Sequence, residues 1–220
     1  SVTISVIDPN VQLGAYYTDV YKNMFTEVLG KTEAEVDAKV EAAFQQIFYG
    51  GTDEKLYYES GTNGAYILDI NNNDIRSEGM SYGMMICLQL DKKEEFDKLW
   101  YWAKNNMQYP ATSSYSGYFA WQCNTDGSWI GGETTGPAPD GEAYFVMALY
   151  FAAHRWGNGT GIYNYAAEAD YILESMLSKD GTDGVYNMFD ETTKLITFVP
   201  YYDSRLHTDP SYNLPGFFDL

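Results

Sequence analysis

The sequence predicts an all-α protein built as a two-layer ring of inner and outer helices, an α/α toroid, with short β pieces confined to its loops. Three observations predict it. Two helical segments, 77–90 and 140–156, are apolar almost all round, as a helix buried on every side must be. Two others, 92–106 and 163–178, carry a single apolar face and suit an outer layer. The two kinds alternate along the chain, and the long loops at 50–76, 109–139 and 179–210 all lead to one end of the ring. In such a ring every inner helix runs the same way, so the inner N-termini gather at one mouth.

The elements follow in order. Residues 1–15 read as extended or loose, and Tyr16 to Leu29 as a helix with Val20, Phe25 and Val28 on its apolar positions, closed by Gly30. Thr32 starts a second helix, and Glu35 three residues later completes a capping box. Val36, Val40, Ala43, Phe44 and Ile47 keep helical spacing until Gly50 and Gly51. Two strand-like pieces, Leu56–Tyr58 and Ala65–Leu68, flank Gly61 to Gly64. Ser77 then reads as the N-cap of the first inner helix, with Glu78 at its first position. Asp91 reads as the cap of the outer helix that carries Phe96, Leu99, Trp100 and Ala103.

Residues 109–139 are rich in Gly, Ser and Thr and hold one strand-like piece, Tyr118–Trp121. A loop of that length in a compact domain is usually functional. Asp140 opens the second inner helix, and Ala166, Ala169, Ile172, Leu173, Met176 and Leu177 mark the apolar face of its outer partner. Strand-like pieces follow around Val185–Tyr186 and Leu195–Val199, and Asp209-Pro210-Ser211-Tyr212 opens a last apolar segment. The whole chain, 1–220, reads as a single domain.

Composition narrows the partners. With 13 basic against 31 acidic residues the net charge is −18, which repels phosphate backbones and anionic membrane surfaces. No apolar run approaches the ~20 residues of a membrane span. The start, Ser1-Val2-Thr3-Ile4, lacks the basic flank and apolar core of a signal peptide, as a mature chain with its signal removed would also do. Tyr, Phe and Trp make up 17% of the chain, and Tyr and Trp suit stacking on sugar rings as well as ordinary cores. Two cysteines, Cys87 in an apolar run and Cys123 in a strand-like piece, read as free buried thiols rather than a disulfide.

The ring brings Glu78, Asp140 and the Asp209–Tyr212 turn to one mouth, beside Trp121 and several tyrosines. Separated carboxylates in an aromatic cleft are the equipment of glycoside hydrolysis: one acid protonates the leaving oxygen, and one carboxylate activates water or attacks the sugar. To hold a proton near neutral pH, Glu78 needs apolar burial or a neighbouring anion, because a helix start by itself favours the charged form. By position alone Glu78 is equally a complement to the helix dipole, Asp140 an N-cap, Asp209 a turn former before Pro210, and Trp121 core. Metal ligation is the weaker rival. His154 and His207 have no HExxH or CxxC context. Asp69–Asp74 resembles the start of a calcium loop but lacks its Gly and closing Glu, so no metal and no cofactor is expected.

Three motifs carry a resemblance to a known family. Asp74-Ile75-Arg76-Ser77-Glu78-Gly79-Met80-Ser81-Tyr82-Gly83-Met84 resembles the signature of glycoside hydrolase family 8. So do Gly136-Pro137-Ala138-Pro139-Asp140-Gly141-Glu142-Ala143-Tyr144-Phe145 and Thr208-Asp209-Pro210-Ser211-Tyr212, and the similarity runs from about Gly14 to the last residue. The resemblance implies an (α/α)6 barrel that cleaves β-1,4 glycans with inversion. Gly14-Ala15-Tyr16-Tyr17, Tyr57-Tyr58-Glu59 and Gly117–Trp121 are more similar to xylan-active members, nearest those that release xylose from the reducing end, than to cellulases or chitosanases. It further implies Glu78 as general acid, Asp140 as the residue gripping the distorted sugar, and Tyr212 as the positioner of the nucleophilic water. Trp121, Tyr201 and Arg76 would bind substrate.

One departure from the family pattern matters most. An (α/α)6 barrel has twelve helices, and about seven are legible here. The family's general base, an aspartate from later in the barrel, matches no position. The expectation is therefore the N-terminal portion of a catalytic domain, completed by a further segment or a second chain, with little activity by itself. Two functions stand: an inverting hydrolase of xylan or xylo-oligosaccharides, or a glycan-binding half-barrel without its base. An exo-acting member is expected to be cytoplasmic and an endo-acting one secreted.

Overall fold

The structure, a computed structural model, describes residues 21–218. The Gly14–Tyr17 motif, the expected loose segment 1–15 and the start of the helix expected from Tyr16 lie outside the described residues. The chain divides into two compact units, Ser1–Glu54 and Lys55–Leu220.

In the described part of the helix expected over Tyr16 to Leu29, residues 21–29, one helical turn forms, α1, Met24–Glu27. Asn23 caps this turn: its backbone is extended and its side chain accepts the Phe25 amide at 3.1 Å. The capping box is present. Thr32 accepts from the Glu35 amide at 3.2 Å, and Glu35 accepts from the Thr32 amide at 2.9 Å. The helix so started, α2, spans Glu33–Tyr49 and buries Phe44 and Phe48, whose rings stack 4.2 Å apart, while Val40 stays exposed.

The second unit opens with an antiparallel hairpin of β1, Tyr57–Ser60, and β2, Gly64–Ile67, in which Tyr58 faces Tyr66. A polar turn leads to β3, Ile75–Arg76, which pairs antiparallel with β4, Gln122–Cys123. The principal helices are α3, Ser77–Gln89, α4, Lys93–Asn106, α5, Pro139–Trp156, and α6, Tyr165–Ser178. A short α7, Pro215–Phe218, comes last. α3 packs against both α4 and α5, α5 packs against both α3 and α6, and β2 lies on α4. The two apolar helices thus sit side by side, flanked by the two amphipathic ones.

α3 and α5 run parallel, because they meet at both ends. At their starts a Cβ on Gly141 would fall 2.5 Å from the Ser77 Oγ. At their far ends Asp91, just past α3, accepts from the Trp156 indole at 2.6 Å and from Arg155 at 3.2 Å. Between the two, Tyr82 and Tyr144 meet edge to face at 4.8 Å. Behind them Trp100, Phe119 and Phe145 form an aromatic cluster, all three fully buried. Each such ring buried stabilises the fold by about 1.5–3 kcal/mol.

Several expected details differ, each for a local reason. Ser77 is the first helical residue rather than the cap, and extended Arg76 precedes it. Its amide already donates to the Trp121 carbonyl at 3.0 Å, and its side chain is buried under Gly141. Asp91 does not cap α4, since its carboxylate is taken by Trp156 and Arg155, and the helix begins at Lys93. Tyr118–Trp121 is not a strand. Its amides go to four different places, and the two-residue strand lies just after it. Around Val185 and Leu195 there are isolated bridges instead of strands, Asp180 with Tyr186, Val185 with Tyr201 and Phe189 with Ile196. Cys87 and Cys123 are free and buried, as expected. Among the described residues no helix is long and apolar enough to cross a membrane.

Candidate active site

The site is built on the paired first turns of α3 and α5. The backbone delivers Trp121 there twice over. Arg76 pairs with Gln122 across β3 and β4, and the Ser77 amide donates to the Trp121 carbonyl. Trp121 in turn donates its amide to the Gly136 carbonyl at 3.0 Å. Gly136 is left-handed, with φ at 71°, and a Cβ there would meet the Tyr201 hydroxyl at 2.6 Å, so only glycine fits. Tyr201 thereby backs the segment that holds Trp121, half-buried and edge-on to Tyr115 at 5.8 Å.

Arg76 is held rather than free. Its Nε lies 3.1 Å from both Asp74 Oδ1 and Asp69 Oδ2, and its guanidinium carbon stands 5.3 Å from the centre of the Trp121 ring. Asp74 is almost wholly buried and also accepts from the Gln122 side chain. A guanidinium fixed over an indole holds the ring by cation–π attraction. Arg76 and Trp121 therefore form one platform beside the α3 start.

Glu78, in the first turn of α3, is exposed, and the hydroxyl of Tyr82 one turn on donates to its Oε1 at 2.9 Å. Asp140, in the first turn of α5, is 7% exposed, and its Oδ1 is buried with no partner among the described residues. Burial, with the negative field of Glu78 added, pushes the Asp140 carboxyl up to about 7, against the pull of nearby backbone N–H groups. Asp209 adds to the same push. Its own carboxyl lies below the usual range because the Ser211 hydroxyl and amide donate to it. Burial, then the charges of Asp140, Asp209, Glu78 and Glu142, raise the Tyr212 phenol. The burial expected around Glu78 is thus found around Asp140.

Glu78, Asp140, Asp209 and Tyr212 therefore share one electrostatic environment, and Trp121 with Arg76 is tied to the same helix start. Tyr201 is one step removed, behind Gly136. The arrangement offers an exposed carboxyl beside a buried one that burial makes a weaker acid, next to an aromatic platform. That suits acid–base work on a neutral, hydroxyl-rich ligand. No cluster of three or more metal-ligating side chains occurs among the described residues.

Sequence reasoning assigned no role to three residues. Tyr82 lies four residues after Glu78, a helical hydrogen-bonding spacing that signals the contact. Glu142 is an acid inside an otherwise apolar helix, which signals a partner within the core. Asp74 carries no such mark, since turn acids are common.

The family model described as Glycosyl hydrolases family 8 matches residues 58–219. The chain is 43% identical over 211 residues to a reducing end xylose-releasing exo-oligoxylanase of Halalkalibacterium halodurans, covering 94% of this chain and 52% of that protein. It is 44% identical over 207 residues to Rex8A, a reducing-end xylose-releasing exo-oligoxylanase of Paenibacillus barcinonensis, again over 94% of this chain and 52% of the relative. The solved structure of that Rex8A complexed with xylose superposes with a TM-score of 0.87 at 43% identity, over 94% of this chain and 53% of that chain. The chain spans about half the length of the curated relatives it matches. With the family model matched over residues 58–219 and relatives more than 40% identical over 94% of the chain, the chain belongs to glycoside hydrolase family 8.

Proposed function

We propose that this chain is part of the single catalytic domain of an inverting hydrolase that cleaves β-1,4-xylosidic bonds of xylo-oligosaccharides and releases xylose from the reducing end. The domain is an (α/α)6 barrel, to which the chain contributes α3 to α6 as successive inner and outer helices. Glu78 is the general acid, Asp140 grips the distorted sugar at the cleavage point, and Tyr212 helps hold the attacking water. Trp121, held by Arg76, stacks on a xylose ring, and Tyr201 supports that platform. The general base comes from outside these residues.

The observation that carries the reading is the meeting of exposed Glu78 and buried Asp140 at the first turns of two parallel, touching helices. Glu78, open to the cleft, can reach a glycosidic oxygen. Asp140, desolvated, favours a hydrogen bond to a sugar hydroxyl over one to water. The curated relatives, named for release of reducing-end xylose, supply the substrate class.

The test is a product analysis of the intact protein on xylobiose to xylohexaose labelled at the reducing end. Labelled xylose as the first product, formed as the inverted anomer, is expected. Glu78→Ala should lower kcat/KM by about 10²–10⁴-fold, the usual weight of a general acid. A spread of internal products would replace the exo reading with an endo one. Tight binding of xylotriose without turnover would replace catalysis with glycan binding.

A further inference from the structure

Glu142 lies in the first turn of α5 and is 0% exposed. A carboxyl enclosed by aromatic rings is costly to keep without a partner. Its Oε1 accepts the Phe119 amide at 2.9 Å, and its Oε2 is buried with no partner among the described residues. The neighbouring amides clarify what that bond does. Tyr118 donates to the Tyr115 carbonyl, Ala120 to Met107 and Trp121 to Gly136. Of these four consecutive amides, only that of Phe119 ends on a side chain. The Phe119 ring also packs on Phe145, one turn further along α5, at 4.9 Å. So α5 grips this segment at two points. Trp121 stands two residues beyond Phe119, and Asp140 two residues before Glu142.

We propose that Glu142 is a positioning residue, which ties the Trp121 segment to the start of α5 and so fixes the stacking tryptophan relative to Asp140. The inference rests on the reading of Trp121 and Asp140 as sugar-binding residues. Burial, with the charge of Asp140 added, pushes the Glu142 carboxyl well above the usual carboxylate range. That shift favours the protonated carboxyl, and the oxygen that accepts the Phe119 amide is Oε1. The other titratable groups facing it are Tyr109, Tyr118 and Tyr212, all phenols and all neutral in this setting. A neutral amide can take its place, whereas an apolar side chain of equal length cannot.

The experiment compares Glu142→Gln and Glu142→Met in the intact protein, alone and combined with Trp121→Ala. Glu142→Met should raise KM for xylotriose about tenfold, because the stranded Phe119 amide loosens the segment, with a smaller change in kcat. Glu142→Gln should restore KM to within about threefold of wild type, since the acceptor is kept. In the Trp121→Ala background the Glu142→Met effect should vanish, because the two act as one unit. Wild-type KM in Glu142→Met, equal damage from Gln and Met, or full additivity with Trp121→Ala would each overturn the proposal. If Glu142→Met does not fold, Glu142→Asp, whose shorter side chain withdraws the oxygen, is read by the same criteria. Hydrogen exchange at the Phe119 amide gives a readout independent of turnover: slow in wild type and Gln, about tenfold faster in Met. Equal exchange in all three overturns the anchoring. A wild-type enzyme inactive on every xylo-oligosaccharide would instead sink the functional reading, with the exchange result still deciding the role of Glu142.

Discussion

At Asp140 two costs are combined, loss of water and the field of a neighbouring carboxylate, and the consequence is measurable in stability. An acid whose pKa is higher folded than unfolded keeps its proton longer in the native state. The native state then binds more protons between about pH 4 and pH 7, so stability falls as pH rises through that window. Asp140→Asn removes the effect. Its thermal midpoint should stay flatter from pH 4 to 7, and gain about 5 °C on wild type by pH 7. Parallel curves for the two proteins would show that Asp140 is not desolvated in solution. This property was invisible in the sequence. Its position at a helix start was legible, but the burial comes from the close approach of α3, a long-range contact. Glu78 shows the reverse. Its place in the first turn was read correctly, yet it is exposed, and the donor to it, Tyr82, was legible only as a spacing.

At the scale of elements, the contact between α3 and α5 decides the site. The pattern of apolar residues identified both helices within a residue or two, because periodicity is local. It did not identify what starts them. Ser77 looked like a cap and Asp91 like another, whereas tertiary partners, the Trp121 carbonyl for one and Trp156 with Arg155 for the other, take over those groups. The Tyr118–Trp121 segment looked like a strand for the same reason: its residue types suit one, but its amides find no continuous neighbour. The joint between the helix starts depends on Gly141. Gly141→Ala would place a methyl against Ser77, which should cost about 1–3 kcal/mol in urea or thermal unfolding. Adding Ser77→Gly should return most of that loss. An Ala variant as stable as wild type would mean that the two helix starts are further apart than described.

At the scale of the molecule, an apolar groove of about 580 Å³ runs between α5 and α6, lined by Val146, Met147, Phe151, Leu173, Met176 and Phe217. Leu177 and Phe218 stand exposed beside it. Open apolar surface of this kind binds hydrophobic dyes. The 220-residue chain should therefore enhance anilinonaphthalene sulfonate fluorescence, and Met147→Glu should reduce that enhancement at least about fivefold. No enhancement by the wild-type chain would mean that the groove is closed in solution. The all-round apolar character of 140–156 was legible, but the groove's lining depends on how α7 folds back, which no local pattern encodes. One last property belongs to the five tryptophans taken together. Trp100 and Trp102 are buried, and the indoles of Trp129 and Trp156 are tied to Asn106 and Asp91. Their light is a steady background. Under the proposed function, Trp121, half-buried beneath a guanidinium, is the indole whose surroundings a bound sugar would change. If Trp121 stacks on xylose as proposed, the molecule carries its own optical probe, and xylo-oligosaccharide binding should shift its emission without an attached dye.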